Sequence, residues 1–189
     1  MKRAIIVLSF FACFIILKAQ DKPVSNEAFI NAIAKWVVDT NATHYYLYTE
    51  ARACSFRKYD YDEWYKYGLQ QDIPIYVLNE LAKNTLLNTS PIHWQQSQLP
   101  NAICVDEIKA KEVLLSPAKQ QVKKQHAGVD ENTTVYYFSR PAFSDDYQYA
   151  VIDLGFRCDD HQCGMGATFI FRRIGEKWIV AGRKIVWGN

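Results

Sequence analysis

No stretch of this 189-residue chain is apolar over the roughly 20 residues that a membrane-spanning helix needs. It also has no G-x-S-x-G nucleophile elbow, H-E-x-x-H zinc motif, phosphate-binding P-loop, dinucleotide fingerprint or EF-hand loop. The usual sequence signatures of serine hydrolases, zinc proteases, nucleotide enzymes and calcium switches are therefore missing. No Ser/Gly-rich linker and no internal repeat divides the chain, which excludes solenoids and points to a single domain.

The first residues have the order of a secretory signal peptide. Lys2 and Arg3 precede an apolar run over residues 4–17, and Lys18-Ala19-Gln20 then opens polar sequence. A cut after Ala19 is expected, giving a signal peptide at 1–19 and a single domain at 20–189. A retained anchor is the alternative. A lipoprotein cut at Cys13 is a poor fit, because Phe10-Phe11-Ala12 lacks the small residues that signal requires. The remaining 170 residues can bury a genuine core. Lys2, Arg3 and Lys18 leave with the leader, so 22 basic against 20 acidic residues becomes 19 against 20. The pI of 8.2 belongs to the precursor, and a strong basic field for nucleic acid is absent from the exported chain. Export to the periplasm or the exterior is expected, with no integral membrane segment after cleavage.

Four cysteines then remain: Cys54, Cys104, Cys158 and Cys163. An even count in an exported chain reads as disulfides, and four cysteines allow three pairings. Cys158–Cys163 with Cys54–Cys104 is the expected set.

Secondary structure divides the chain unevenly. Residues 24–40 predict a helix with Ser25 as N-cap and with Phe29, Ile33, Trp36 and Val37 on one apolar face. A second helix is expected from Asp72-x-Pro74 to Asn88, carried by Ile75, Leu78, Leu81, Ala82 and Leu86. A short one is expected around residues 106–115. Residues 44–68 are rich in tyrosine and charge and have no single period. The last third changes character: residues 133–138, 147–157, 166–173 and 177–187 are β-branched and aromatic, and turn-forming clusters separate them. Short connections favour antiparallel neighbours. The expected fold is α+β, with N-terminal helices packed by their Phe29/Trp36 face on a C-terminal four-stranded antiparallel meander.

The run Ser139-Arg140-Pro141-Ala142-Phe143-Ser144-Asp145-Asp146, then Tyr149-Ala150, Cys158…Cys163-Gly164-Met165-Gly166 and Lys177-Trp178 resembles a loose group of small exported Bacteroidetes proteins. The resemblance spans roughly residues 135–187. It implies export and a β-rich C-terminal half, and it supplies no catalytic residues. At the level of fold alone the arrangement also resembles cystatin-like and NTF2-like domains.

Two regions concentrate chemistry. The loop at residues 155–166 holds Cys158, Asp159, Asp160, His161 and Cys163. A disulfide-closed hairpin is the leading reading, with Gly164 and Gly166 on one strand face permitting a bulge, close aromatic packing or a shallow groove. Zinc ligation by Cys158, His161 and Cys163 would need a second ligand pair, which the sequence does not offer, and no cofactor or metal is expected. A catalytic reading makes His161 a general base oriented by Asp159 or Asp160, with Ser139 or Ser144 as nucleophile. The second region, Tyr59, Tyr61, Trp64, Tyr65 and Tyr67, interleaves aromatic rings with charges. That is the composition of a surface binding another protein or a glycan in the cell envelope. The expected function is an exported, non-enzymatic binding or interaction module. The alternative is a small hydrolase using His161 with Asp159/Asp160.

Overall fold

The computed structural model describes residues 23–38, 44–57, 61–68, 72–114, 134–158 and 164–188. The expected signal peptide at 1–19 lies outside them. Nine strands occur among the described residues: β1 Tyr45–Tyr48, β2 Glu50–Ala51, β3 Ile92–His93, β4 Ala102–Val105, β5 Val135–Phe138, β6 Ala142–Phe143, β7 Tyr149–Arg157, β8 Gly164–Ile174 and β9 Lys177–Gly188. Four α-helices accompany them, α1 Asn26–Val37, α2 Tyr61–Glu63 (continued by a π-helical turn, Trp64–Gly68), α3 Ile75–Leu87 and α4 Glu107–Leu114, with a 3-10 turn at Gln96–Gln98.

The expected four-stranded antiparallel meander is overturned. Seven strands form one mixed sheet in the order β4-β1-β5-β7-β8-β9, with β6 also on β7. β1 runs parallel to both β4 and β5, while β5, β7 and β8 are each antiparallel to the next strand in the order. A separate β2–β3 ribbon completes the strands. The misjudged half has a physical cause. β1 and β4 are only four residues long, and each lies where polar or aromatic neighbours blur a period-2 pattern. Neither is stable as a local hairpin, since parallel neighbours are joined through long crossovers. Here those crossovers hold α2 and α3 between β1 and β4, and α4 between β4 and β5.

α1 starts where Ser25 Oγ accepts the Ala28 N–H at 3.1 Å. Its buried stripe is Phe29, Ile30, Ile33 and Ala34. Phe29 meets Phe143, Phe171 and Trp178 edge-on at 5.4, 5.6 and 4.9 Å. Trp36 does not share that face. It is 67% exposed, because pairing Ile30 and Ala34 with Phe29 and Ile33 rotates the buried stripe away from it. The same correction applies to α3, which buries Val77, Leu78, Leu81, Ala82 and Thr85 and leaves Ile75 and Leu86 outside.

The sheet separates two main apolar clusters. On one face Ala150, Ile152, Leu154 and Phe171 join α1, Tyr45, Leu47 and Trp178. On the other, Tyr149, Val151, Ile170 and Ala181 join Phe56, Tyr61, Trp64 and the inner side of α3. A third cluster seats Ala110 and Leu114 of α4 against Val105 and Val135. The β8–β9 turn is a two-residue connection with Gly175 at φ 61°, the left-handed conformation such hairpins favour. Among the described residues no helix is long and apolar enough to cross a membrane.

Candidate functional site: an aromatic and a polar rung across the sheet

Cross-strand register places two unlike rows side by side on the face that carries α2 and α3. The first row is Tyr137 opposite Gly155, Gly155 opposite Gly166, and Gly166 opposite Trp187. Two glycines thus lie between two large rings. Both rings lean inward over them and stack, with centroids 6.1 Å apart and planes 13° from parallel. The seating requires hydrogen in place of a side chain. A Cβ on Gly166 would lie 2.1 Å from Trp187 Nε1, one on Gly164 2.9 Å from Trp187 Cζ3, and one on Gly155 2.0 Å from the Tyr137 hydroxyl. Side chains at such positions in strands are normally supplied by neighbours across the ladder, and here the aromatics fill that role. The Tyr137 hydroxyl is buried and has no hydrogen-bond partner among the described residues. Burial pushes its pKa up to about 12.

The second row lies two residues along from Tyr137, Gly155 and Gly166 and three along from Trp187: Ser139, Asp153, Thr168 and Lys184. Ser139 Oγ accepts the Asp153 N–H at 2.9 Å. The Asp153 carboxylate accepts Thr168 Oγ1 at 2.6 Å, the Ser55 N–H at 2.6 Å and the Cys54 thiol at 3.6 Å. It therefore anchors the extended segment after β2 onto the sheet through charge-assisted hydrogen bonds. Lys184 forms an ion pair with Glu63 of α2, fixing that helix beside β9. A bulge makes the two rows coincide on β9. Gly166 faces Trp187 but Ala167 faces Ile185, so Val186 is the extra residue and Lys184 reaches the same face as Trp187. A second bulge at Ala181 lies between the pairs Ile170–Gly182 and Phe171–Val180.

This geometry fixes the fate of most sequence candidates. Cys54 and Cys104 are free thiols, which overturns their expected pairing. Cys104 is on β4 opposite Leu47 of β1, whereas Cys54 is held against Asp153 on β7, three strands away. At about 4.8 Å per strand that separation is far beyond disulfide reach. Burial, and then the adjacent Asp153 carboxylate, push the Cys54 thiol well above its ordinary pKa, so it is a packed thiol rather than a nucleophile. Cys158 is disulfide-bonded, which withdraws it as a thiolate ligand. Its partner lies outside the described residues, as do Cys163, Asp159, Asp160 and His161. The flanking residues Arg157 and Gly164 face each other in the β7–β8 ladder. Among the described residues no group of three or more His, Cys, Asp or Glu could hold a metal ion.

The two candidate nucleophiles serve structure. Ser139 is in the polar row. Ser144 is buried in the turn before β7, where it donates to Asp146 Oδ1 at 2.7 Å and accepts the Tyr149 N–H at 2.9 Å. Of the tyrosine-rich segment, Trp64 and Tyr61 are buried and pack with Phe56. They face the core instead of a partner, because the apolar side of the sheet at Val151 and Ile170 needs covering. Tyr65 is half exposed and donates to the Ile73 carbonyl at 3.2 Å. Tyr59 and the Tyr67 side chain lie outside the described residues. Sequence reasoning named Gly164 and Gly166 but missed Tyr137, Asp153, Thr168 and Trp187. Only the register of four strands brings those residues together.

No family model, curated protein or solved structure matches this chain.

Proposed function

We propose that the chain is an exported, non-enzymatic binding module of the cell envelope that engages another polypeptide along the outer strand of its sheet. One observation carries the reading: the two ends of the sheet are finished differently. At the β4 end the Gln96 side chain acts as a substitute strand. Its amide nitrogen donates to the Ala102 carbonyl and its Oε1 accepts the Cys104 N–H at 2.9 Å. Those are the outward backbone groups of β4, so that edge is closed to pairing. β9 is the other end, a 12-residue strand that among the described residues has a ladder partner on one side only. Ile185 and Val186 near its end are 55% and 57% exposed. Large apolar side chains beside an unpaired strand are the means by which extended segments are captured. Export and the Cys158–Cys163 bridge belong to the same proposal, since an oxidising compartment suits a disulfide at the base of the β7–β8 hairpin.

A photoreactive phenylalanine analogue at position 186, irradiated in the producing cells, tests the reading. Crosslinking to one discrete polypeptide, absent when the analogue sits at the exposed Ile108 on α4, is the expected result. Equal, diffuse labelling from both positions refutes it.

A further inference from the structure

The two bonds from Gln96 matter because β4 itself carries no other guard. Edge strands are commonly protected by lysine, proline, a bulge or an inward-pointing charge. β4 reads Ala102-Ile103-Cys104-Val105, pairs with β1 in unbroken register and has none of these. β9, at the far end of the sheet, carries Lys177, Arg183 and Lys184. The outward groups that Gln96 holds on β4 are one acceptor, the Ala102 carbonyl, and one donor, the Cys104 N–H. Such a set is self-complementary. In an antiparallel ladder a hydrogen-bonded pair exchanges N–H and C=O between facing residues. With Ile103 facing Ile103 of a second copy across a two-fold axis, Ala102 faces Cys104 of that copy. Each Cys104 N–H then donates to the Ala102 carbonyl of the other chain, and both Gln96 bonds are replaced. The Ala102 N–H takes no part, because it already donates to the Leu99 carbonyl at 3.0 Å. Ile103 against Ile103 is an uncharged, β-branched cross-strand pair, and Asp106, the nearest carboxylate, lies beyond the strand. The Gln96 amide offers the same N–H and C=O as that second strand, from an exposed side chain on the 3-10 turn Gln96–Gln98.

We infer that Gln96 is an autoinhibitory plug, whose side-chain amide takes the place of a second copy's β4 and keeps two chains from pairing edge to edge through Ala102–Val105. The plug sits at the edge opposite β9 and does not depend on what β9 binds. Gln96→Ala in the full chain tests it, read by sedimentation velocity over a range of concentrations and by residue-resolved amide exchange. Wild type is expected to protect the Cys104 N–H equally at every concentration. Gln96→Ala should form a concentration-dependent dimer. Its Cys104 N–H should exchange about tenfold or more faster than in wild type when dilute, and regain protection as the dimer forms. Gln96→Glu also loses the donor to Ala102 but sets a charge at the edge, and should associate no more than wild type. Should the alanine variant not fold, Gln96→Asn, one methylene too short to hold both groups, carries the same reading. Fast Cys104 exchange at every concentration, with no dimer, overturns the plug and leaves Gln96 a local cap. A dimer in which the Cys104 N–H stays unprotected overturns it too, since the copies then meet elsewhere. Equal association of the alanine and glutamate variants has the same consequence.

Discussion

Gly166→Ala tests whether the aromatic row is a built feature of the sheet. The new methyl carbon would lie 2.1, 2.6 and 2.8 Å from Trp187 Nε1, Cε2 and Cδ1. Non-bonded carbons pack at about 3.5–4.0 Å, so the indole must retreat by more than about 1 Å. It is wedged against Gly164 on one side and stacked on Tyr137 on the other, and the retreat has to be outward. A fully buried tryptophan removes about 150–250 Å² from water. Trp187 is half-buried, so lifting it exposes about 100 Å², worth about 2.5 kcal/mol. Loss of the stacking adds about 0.5–1.5 kcal/mol. Alanine in place of a strand glycine returns about 0.5–1 kcal/mol of backbone entropy. The net expectation is a loss of about 2–3.5 kcal/mol. Urea unfolding measures it, and the tryptophan indole N–H resonances show whether Trp187 moves while the other four stay. A cycle with Trp187→Ala should return a coupling of about 3–4 kcal/mol, because the added methyl has nothing to strike once the indole is gone and only the backbone gain remains. A Gly166→Ala protein within about 0.5 kcal/mol of wild type, with its Trp187 resonance unmoved, refutes the reasoning.

Three further outcomes are expected. Cys104, half-buried, should react with a maleimide in the native protein, while Cys54 should react only after unfolding; mass spectrometry of the labelled peptides reads both. Asp153→Ala should cost about 2–4 kcal/mol in a denaturant melt, since it strands the Ser55 N–H and the Thr168 hydroxyl and releases the 54–55 segment from the sheet. Burial raises the Tyr137 pKa from 10.0 to about 12, so the folded state holds this proton more tightly than the unfolded chain. Its contribution to stability is intact below pH 10 and is lost as pH rises through about 12. Tyr137→Phe should therefore flatten part of the alkaline fall in the urea midpoint, with Tyr45, Tyr46, Tyr61, Cys54 and Cys104, also raised by burial, leaving the rest.

Elements that declare themselves locally were legible from residue order. α1 follows from Ser25 and the Phe29/Ile33 spacing, and the turn at Gly175 from a glycine between two β-branched runs. The glycines at 164 and 166 foretold a bulge, aromatic packing or a groove, and the protein has the first two. The parallel strands were not legible. Tyr45–Tyr48 and Ala102–Val105 are stabilised by each other and by β5 across long crossovers, and four residues of pattern leave no trace of such partners. The aromatic segment misled for a related reason: tyrosine and tryptophan serve core and surface alike, and only the uncovered face at Val151 and Ile170 draws Trp64 and Tyr61 inward.

What residue order determined by itself was the local chemistry: where helices and hairpins start and stop, which loop holds the Cys158 disulfide chemistry, and how the charge divides. Tertiary structure alone decided the assignments that depend on register. It kept Cys54 and Cys104 three strands apart, moved Lys184 onto the Trp187 face through one extra residue, and closed one sheet edge with Gln96 while giving the other no strand partner among the described residues. Side chains alternate with period two along every strand, so one bulge or one crossover reassigns which residues meet, and no window of sequence contains both partners.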